Sequence, residues 1–149
     1  MKRFILAFLL ILAAFTGNAQ STQKYNSLYQ RTEFFDSNGR MIGYAKENTL
    51  YDRIEYFDAN GRMVKYEKKN DLYQREETYD NRGRLQGYEK KNELQNRTDN
   101  FDSDGQNTGN RKWNELYQRY DVFDSNGRKV GHYKYNDLYK RWDYTKSPY

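Results

Sequence analysis

Asn70-Asp71-Leu72-Tyr73-Gln74-Arg75-Glu76-Glu77-Thr78-Tyr79-Asp80-Asn81-Arg82-Gly83-Arg84-Leu85-Gln86-Gly87-Tyr88-Glu89-Lys90-Lys91 is one pass through a 22-residue cycle. Its landmarks recur at that spacing in both directions. Arg31, Arg53, Arg75, Arg97, Arg119 and Arg141 follow one another without a gained or lost residue. So do Leu28, Leu50, Leu72, Leu94, Leu116 and Leu138, and the asparagines from Asn26 to Asn136. A fixed period of this size marks a repeat architecture, in which each unit buries its apolar face against its neighbours. The middle of the unit is a turn, Asp80-Asn81-Arg82-Gly83-Arg84, with counterparts at Asp36, Asp58, Asp102 and Asp124. Asp first and Gly fourth fit a type I turn closed by a left-handed glycine, the three-residue hairpin loop with a bulge. A two-residue type I′ loop would force Arg82 to positive φ, so we prefer the former. About eight residues rich in Tyr, Phe and Thr flank the turn on each side, which is a strand signature. Asn followed by Asp, Glu, Ser or Thr at the unit boundary supplies a second tight turn.

The predicted fold is therefore all-β, an antiparallel meander of 22-residue β-hairpin repeats. The alternative is a β-solenoid with one repeat per coil. Stacked coils would place equivalent residues about 4.8 Å apart. Arg31 through Arg141 would then form one column of like charge, with Glu33, Glu55, Glu77, Asp99, Asp121 and Asp143 as an acidic column beside it. Like charges directly opposite are destabilising, whereas in a meander each Arg can pair with the acid two residues on. The ends are complementary half-units. Lys24 falls where Lys46 falls, so the repeat begins with the remnant of a return strand, and it ends with an outgoing strand from Leu138 that no turn follows. Such halves can pair and close a barrel, and an open single sheet is equally allowed.

Residues 1–19 are of another kind. Lys2 and Arg3 lead into a charge-free run from Phe4 to Phe15, then small residues before Gln20. This reads as a cleaved secretory signal peptide, being short for a membrane span of about 20 residues. The repeat domain is then residues 20–149, five full units from Asn26 plus a terminal half unit. Loss of residues 1–19 lowers the net charge from +5 to +3, with signs interspersed. That argues against nucleic acid, which asks for a clustered basic face. The chain has no cysteine, so no disulfide and no lipid-bearing cysteine. Residues 20–149 hold only 17 Leu, Ile, Val and Phe but 16 Tyr, so the core is expected to be aromatic. Alternate residues of each strand are interrupted by polar groups, unlike the apolar band of an outer-membrane barrel.

Catalytic chemistry has little to work with. The single His132 stands where sister units carry Tyr44, Tyr66 and Tyr88, and reads as a tyrosine substitute. Each acid of the column has its own Arg, which a salt-bridge ladder explains better than a set of glycosidase acids. Asn100-Phe101-Asp102-Ser103-Asp104-Gly105 looks like the start of an EF-hand-type loop, but Arg111 occupies the twelfth position. We read it as structural, and expect no metal and no cofactor. The fourth unit is divergent, with Gln95, Asn107 and Asn110 replacing apolar or aromatic residues. The candidate binding surface combines Tyr29, Tyr51, Tyr73, Tyr117 and Tyr139 with Arg31, Arg53, Arg75 and Arg119, residue types common at hot spots. The competing reading makes these rings part of the sheet's own packing.

The turn Phe35-Asp36-Ser37-Asn38-Gly39-Arg40, and Tyr79-Asp80-Asn81-Arg82-Gly83-Arg84 after it, resemble the Y-D-x-x-G-R core of bacterial YD repeats found in RHS-type secreted shells. The hairpin-per-repeat layout also resembles MORN-type repeats, without that motif's spaced glycines. The resemblance implies a non-enzymatic binding or enclosing surface. We expect an exported interaction or scaffold module of the periplasm, the cell surface or the extracellular space. Its partner would be an envelope or extracellular protein or polysaccharide, or a second copy, with no transmembrane span in the mature chain. The alternative is a glycan-binding module using the Tyr/Arg surface.

Overall fold

The computed structural model of the protein describes residues 22–148; the segment expected to be a signal peptide, residues 1–19, lies outside them. Twelve strands follow in order: β1 (Thr22–Asn26), β2 (Arg31–Phe35), β3 (Met41–Asn48), β4 (Arg53–Asp58), β5 (Met63–Asn70), β6 (Arg75–Asp80), β7 (Leu85–Asn92), β8 (Arg97–Asp102), β9 (Asn107–Asn114), β10 (Arg119–Asp124), β11 (Lys129–Asn136) and β12 (Arg141–Lys146). Every strand pairs antiparallel with its sequence neighbours, and β1 pairs with β12 to close a barrel. The two half-units form that seam, with Thr22 opposite Asp143, Gln23 opposite Trp142 and Lys24 opposite Arg141. Neither the solenoid nor the open sheet is what the chain adopts. Closure leaves no edge to solvent, which a row of unpaired backbone groups would otherwise present.

The two ends of the barrel carry different turns. At one end the type I turn with its bulge is realised: Gly83 N–H donates to the Asp80 carbonyl at 3.1 Å, and Asp80 N–H to the Arg84 carbonyl at 2.9 Å. The ladder register shifts between Thr78 and Tyr79. Gly83 has φ of 80°, while Arg82 is not among the positive-φ residues. Gly83→Val should therefore cost about 1–2 kcal/mol, because a β-branched residue resists this region. An unchanged denaturation midpoint would contradict the turn assignment. At the other end a four-residue loop joins β5 to β6, and its last residue, Gln74, is itself left-handed at φ 49°. The Asn70 Oδ1 accepts from the Tyr73 N–H at 3.2 Å, and its Nδ2 donates to Glu77 at 3.0 Å. The asparagine thus holds both the loop and the strand that leaves it.

The sheet's two faces differ in a way that explains the odd composition. Phe34, Ala45, Tyr56, Glu67, Thr78, Glu89, Asn100, Val122 and Tyr133 are buried and share one face, the barrel interior. Read down one set of equivalent positions, that face changes from unit to unit: Phe34, Tyr56, Thr78, Asn100, Val122 and Tyr144 stand at multiples of 22 residues. Equivalent side chains around a closed barrel all point at one axis. Six copies of one side chain would collide or leave a void, so close packing asks for different sizes. Aromatic rings fill the β9 to β12 side, with Tyr133 and Tyr144 at 4.6 Å and Trp113 and Tyr120 at 4.8 Å between centroids. Phe34, Ala45 and Tyr56 pack together on the β2 to β4 side, and paired charge from β5, β7 and β9 completes the interior. Tyr56 donates to Glu67 at 2.6 Å, Lys65 lies 2.8 Å from Glu67, and Arg111 lies 2.6 Å from Glu89.

Candidate functional site

The outward face, in contrast, repeats almost without change. Arg31, Arg53, Arg75, Arg97, Arg119 and Arg141 each meet the acid two residues on, at 2.5 to 2.9 Å. Arg75 also lies over Tyr73 at 4.8 Å and over Tyr88 of the next strand at 4.1 Å. Arg31 and Arg53 make the same double contact with Tyr29 and Tyr44, and with Tyr51 and Tyr66. These guanidiniums are committed to carboxylates and rings of their own barrel. Burial pushes the Glu77 carboxyl up, but hydrogen bonds from Tyr79, Asn70 and Arg75 outweigh it and hold the group below its ordinary value. The arginines expected at a binding surface are therefore parts of the wall. The fourth unit keeps Arg97 and Asp99 but loses the ring at Gln95.

The tyrosines of that expectation fare differently. Tyr29, Tyr51, Tyr73, Tyr117 and Tyr139 sit in the four-residue loops with 52% to 57% of their surface exposed. One side of each ring is covered by its arginine, with Arg119 and Arg141 over Tyr117 and Tyr139 at 4.5 and 4.9 Å. Beside each tyrosine is the residue sequence reasoning passed over. Leu28, Leu50, Leu72, Leu94, Leu116 and Leu138 crown the same rim at 80% to 100% exposure. Residues 20–149 contain seven leucines, and these six are spent on solvent-facing turn tips. Asn, Tyr, Arg and acid each have a task in building the loop or wall; the leucine has none. The signal was available as an apolar residue at a turn position where polar residues are the rule.

His132 lies on the outward face opposite Asp121 and Thr145. Partial burial, with Arg119 and Lys129 nearby, holds the imidazole below its ordinary 6.5. A histidine with depressed folded-state pKa takes up its proton more readily unfolded, so stability falls as pH drops below 6.5 through the folded value. His132→Tyr, the residue of the sister units, should shrink the difference in melting temperature between pH 7 and pH 5. An undiminished difference would contradict this assignment. The Asp102-Ser103-Asp104-Gly105 turn uses its Asp102 carboxylate as the other turns do, accepting from the N–H groups of Asp104 and Gln106 at 3.0 and 2.8 Å. Among the described residues no cluster of three or more His, Cys, Asp or Glu is arranged to hold a metal. No helix among them is long and apolar enough to cross a membrane.

Fold and rim together define a closed antiparallel barrel of hairpin repeats with one apolar-tipped end. A protein from Arabidopsis thaliana known from an X-ray structure is similar, with a TM-score of 0.63 at 15% identity, over 86% of this chain and 80% of that one. That likeness concerns the fold alone. No protein-family model and no curated protein matches the chain.

Proposed function

We propose that the protein is an exported, non-enzymatic interaction or scaffold module of the cell envelope or extracellular space, and that its contact surface is the leucine-tyrosine rim. The single observation that carries this is the repeated, exposed leucine without a role in the fold. The inward position of Phe34, Tyr56, Thr78, Asn100 and Val122 changes from unit to unit, whereas the exposed leucine is kept in all six. Repeated weak contacts add avidity when one partner spans them. The likeness of the turn to YD repeats fits such a role without adding a ligand. A second reading, glycan binding by the half-exposed tyrosines, is favoured by their free ring faces, on which sugars could stack.

Cell fractionation of a producing strain tests the first reading. The wild-type chain should be retained by the envelope or by a partner outside the cell, with its N-terminus near Gln20. The variant carrying Leu50→Ser, Leu72→Ser and Leu116→Ser should be released at unchanged melting temperature, whereas equal retention would contradict the rim. Under the glycan reading, Tyr51→Ala, Tyr73→Ala and Tyr117→Ala would instead abolish a salt-insensitive binding to neutral polysaccharide.

A further inference from the structure

Taking the rim as the contact surface, its chemistry identifies what it contacts. Two repeated residue types stand exposed at the same end of the barrel. The first is the leucine at each loop tip. The second is lysine: Lys24, Lys46, Lys68, Lys90, Lys112 and Lys134 stand 22 residues apart and all are exposed. Each lies on the outward face two residues before the asparagine that opens a rim loop, which sets the belt about 7 Å below the rim. The inward residues at the same mouth include Tyr25, Trp113 and Tyr135, next to the asparagines that end β1, β9 and β11. The rim loops also hold acids, at Asp52, Asp71, Glu93, Glu115 and Asp137, of which Asp71 and Glu93 are tied to Lys69 and Lys91 at 2.6 and 2.9 Å. The opposite end shows no such polarity. Of its five turn arginines, Arg40, Arg84 and Arg128 pair with Asp36, Asp80 and Asp124 inside their own turns.

We propose that this rim docks flat on an anionic lipid surface, the leucines entering the acyl boundary, the aromatic rings at headgroup level and the lysine belt facing the lipid phosphates. Three physical arguments converge on that occupant. Apolar tips, amphipathic rings and lysines arranged at increasing height reproduce the order of a membrane interface. The tips are separate, about 10 Å from one loop to the next across two strand spacings; a ring of that kind offers no groove to a peptide, whereas a planar surface meets all six at once. The lysine belt, and not the loops with their acids, supplies positive charge complementary to anionic headgroups, which attract each nearby lysine.

Vesicle co-sedimentation tests the proposal with protein exported from cells expressing the full chain, its N-terminus read by mass spectrometry and identical in every variant. Wild type should sediment with phosphatidylcholine vesicles containing phosphatidylglycerol and much less with phosphatidylcholine alone. Leu50→Ser with Leu72→Ser and Leu116→Ser should lower partitioning about tenfold or more. Lys46→Gln with Lys68→Gln and Lys90→Gln should lower it several-fold and flatten its salt dependence. Asn38→Ser with Asn60→Ser, at the opposite end, should change nothing. A single reporter covers the case in which a multiple variant fails to fold: Leu72→Trp should be quenched by brominated acyl chains, and Asn81→Trp should not. No binding to anionic vesicles, binding untouched in the folded leucine variant, or an unquenched Leu72→Trp would each overturn the proposal. So would a rim-to-rim dimer that excludes vesicles and dissolves in the leucine variant. Should vesicles fail while the leucine variant is still released from the envelope fraction, the lipid assignment falls and the interaction module stands.

Discussion

Tyr56→Ala is expected to destabilise the barrel by about 3–5 kcal/mol, the range for deleting a large buried ring. Tyr56 is fully buried, stacks with Phe34 at 6.4 Å between centroids, and carries the Lys65 ammonium over its face at 4.3 Å. Its hydroxyl donates to Glu67, so the deletion also strips a donor from a buried carboxylate. Burial already raises the Glu67 carboxyl, against the pull of Lys65 and Tyr56. A carboxyl whose folded-state pKa is raised contributes stability at low pH that is lost as pH rises through that value. Removing the hydroxyl raises it further, so the loss should be greater at pH 8 than at pH 5. Urea titrations at the two pH values read this directly; a loss under about 1 kcal/mol would mean that Tyr56 is not in the core.

Arg111→Ala should cost a similar amount, about 3–5 kcal/mol, since it leaves Glu89 as a buried charge without its partner. Arg111 and Glu89 reach each other from β9 and β7, across the strand between them, with side chains 10% and 7% exposed. Because domains hold only about 5–15 kcal/mol in total, either variant alone is expected to leave little folded protein at 37 °C. The double variant Glu89→Leu with Arg111→Leu should recover most of the loss, because an apolar pair of similar size avoids the desolvation of two ions. Equal losses for the single and the double variant would show that packing volume, and not the charge left behind, sets the cost.

Arg111 also shows where sequence reading stops. Taken as position twelve of a metal loop it only subtracts from a motif; its partner lies one whole repeat earlier, and nothing in a linear reading links Arg111 to Glu89. The hairpins themselves were legible, because Asp80 through Arg84 admit one low-strain turn and Arg82 excludes its rival. Closure was legible as a possibility, since the half-units around Lys24 and Leu138 complement each other, but pairing energy at a seam leaves no residue-level mark. The inside and the outside of the wall were not assigned. The usual guide, alternation of apolar and polar residues, is absent when Glu67, Glu89 and Arg111 point inward. A different guide was present. Positions that repeat, such as Arg75, Glu77 and Tyr88, face out, and positions that vary, such as Thr78, Asn100 and Val122, face in.

The candidate site divided along the same line. The arginines were singled out for their chemistry, and that chemistry is consumed by Glu33, Glu55, Glu77 and Asp121. The tyrosines beside them remain half-exposed. The leucines served only as landmarks of the period and were given no place at a surface; the loop geometry, with Asn70 capping the Tyr73 N–H, leaves Leu72 exposed.

The rim exists as a ring only if β1 and β12 meet, so the closing seam is the central claim. Lys24 and Arg141 are paired across it, and paired positions in antiparallel strands fall within the Cα separation that a disulfide tolerates. The chain has no cysteine of its own. Lys24→Cys with Arg141→Cys should therefore oxidise to an intramolecular disulfide, visible as faster non-reducing migration of the monomer, while Lys24→Cys with Arg75→Cys should stay reduced. Failure of the first pair to cross-link within one chain, or cross-linking only between chains, would contradict the closed barrel.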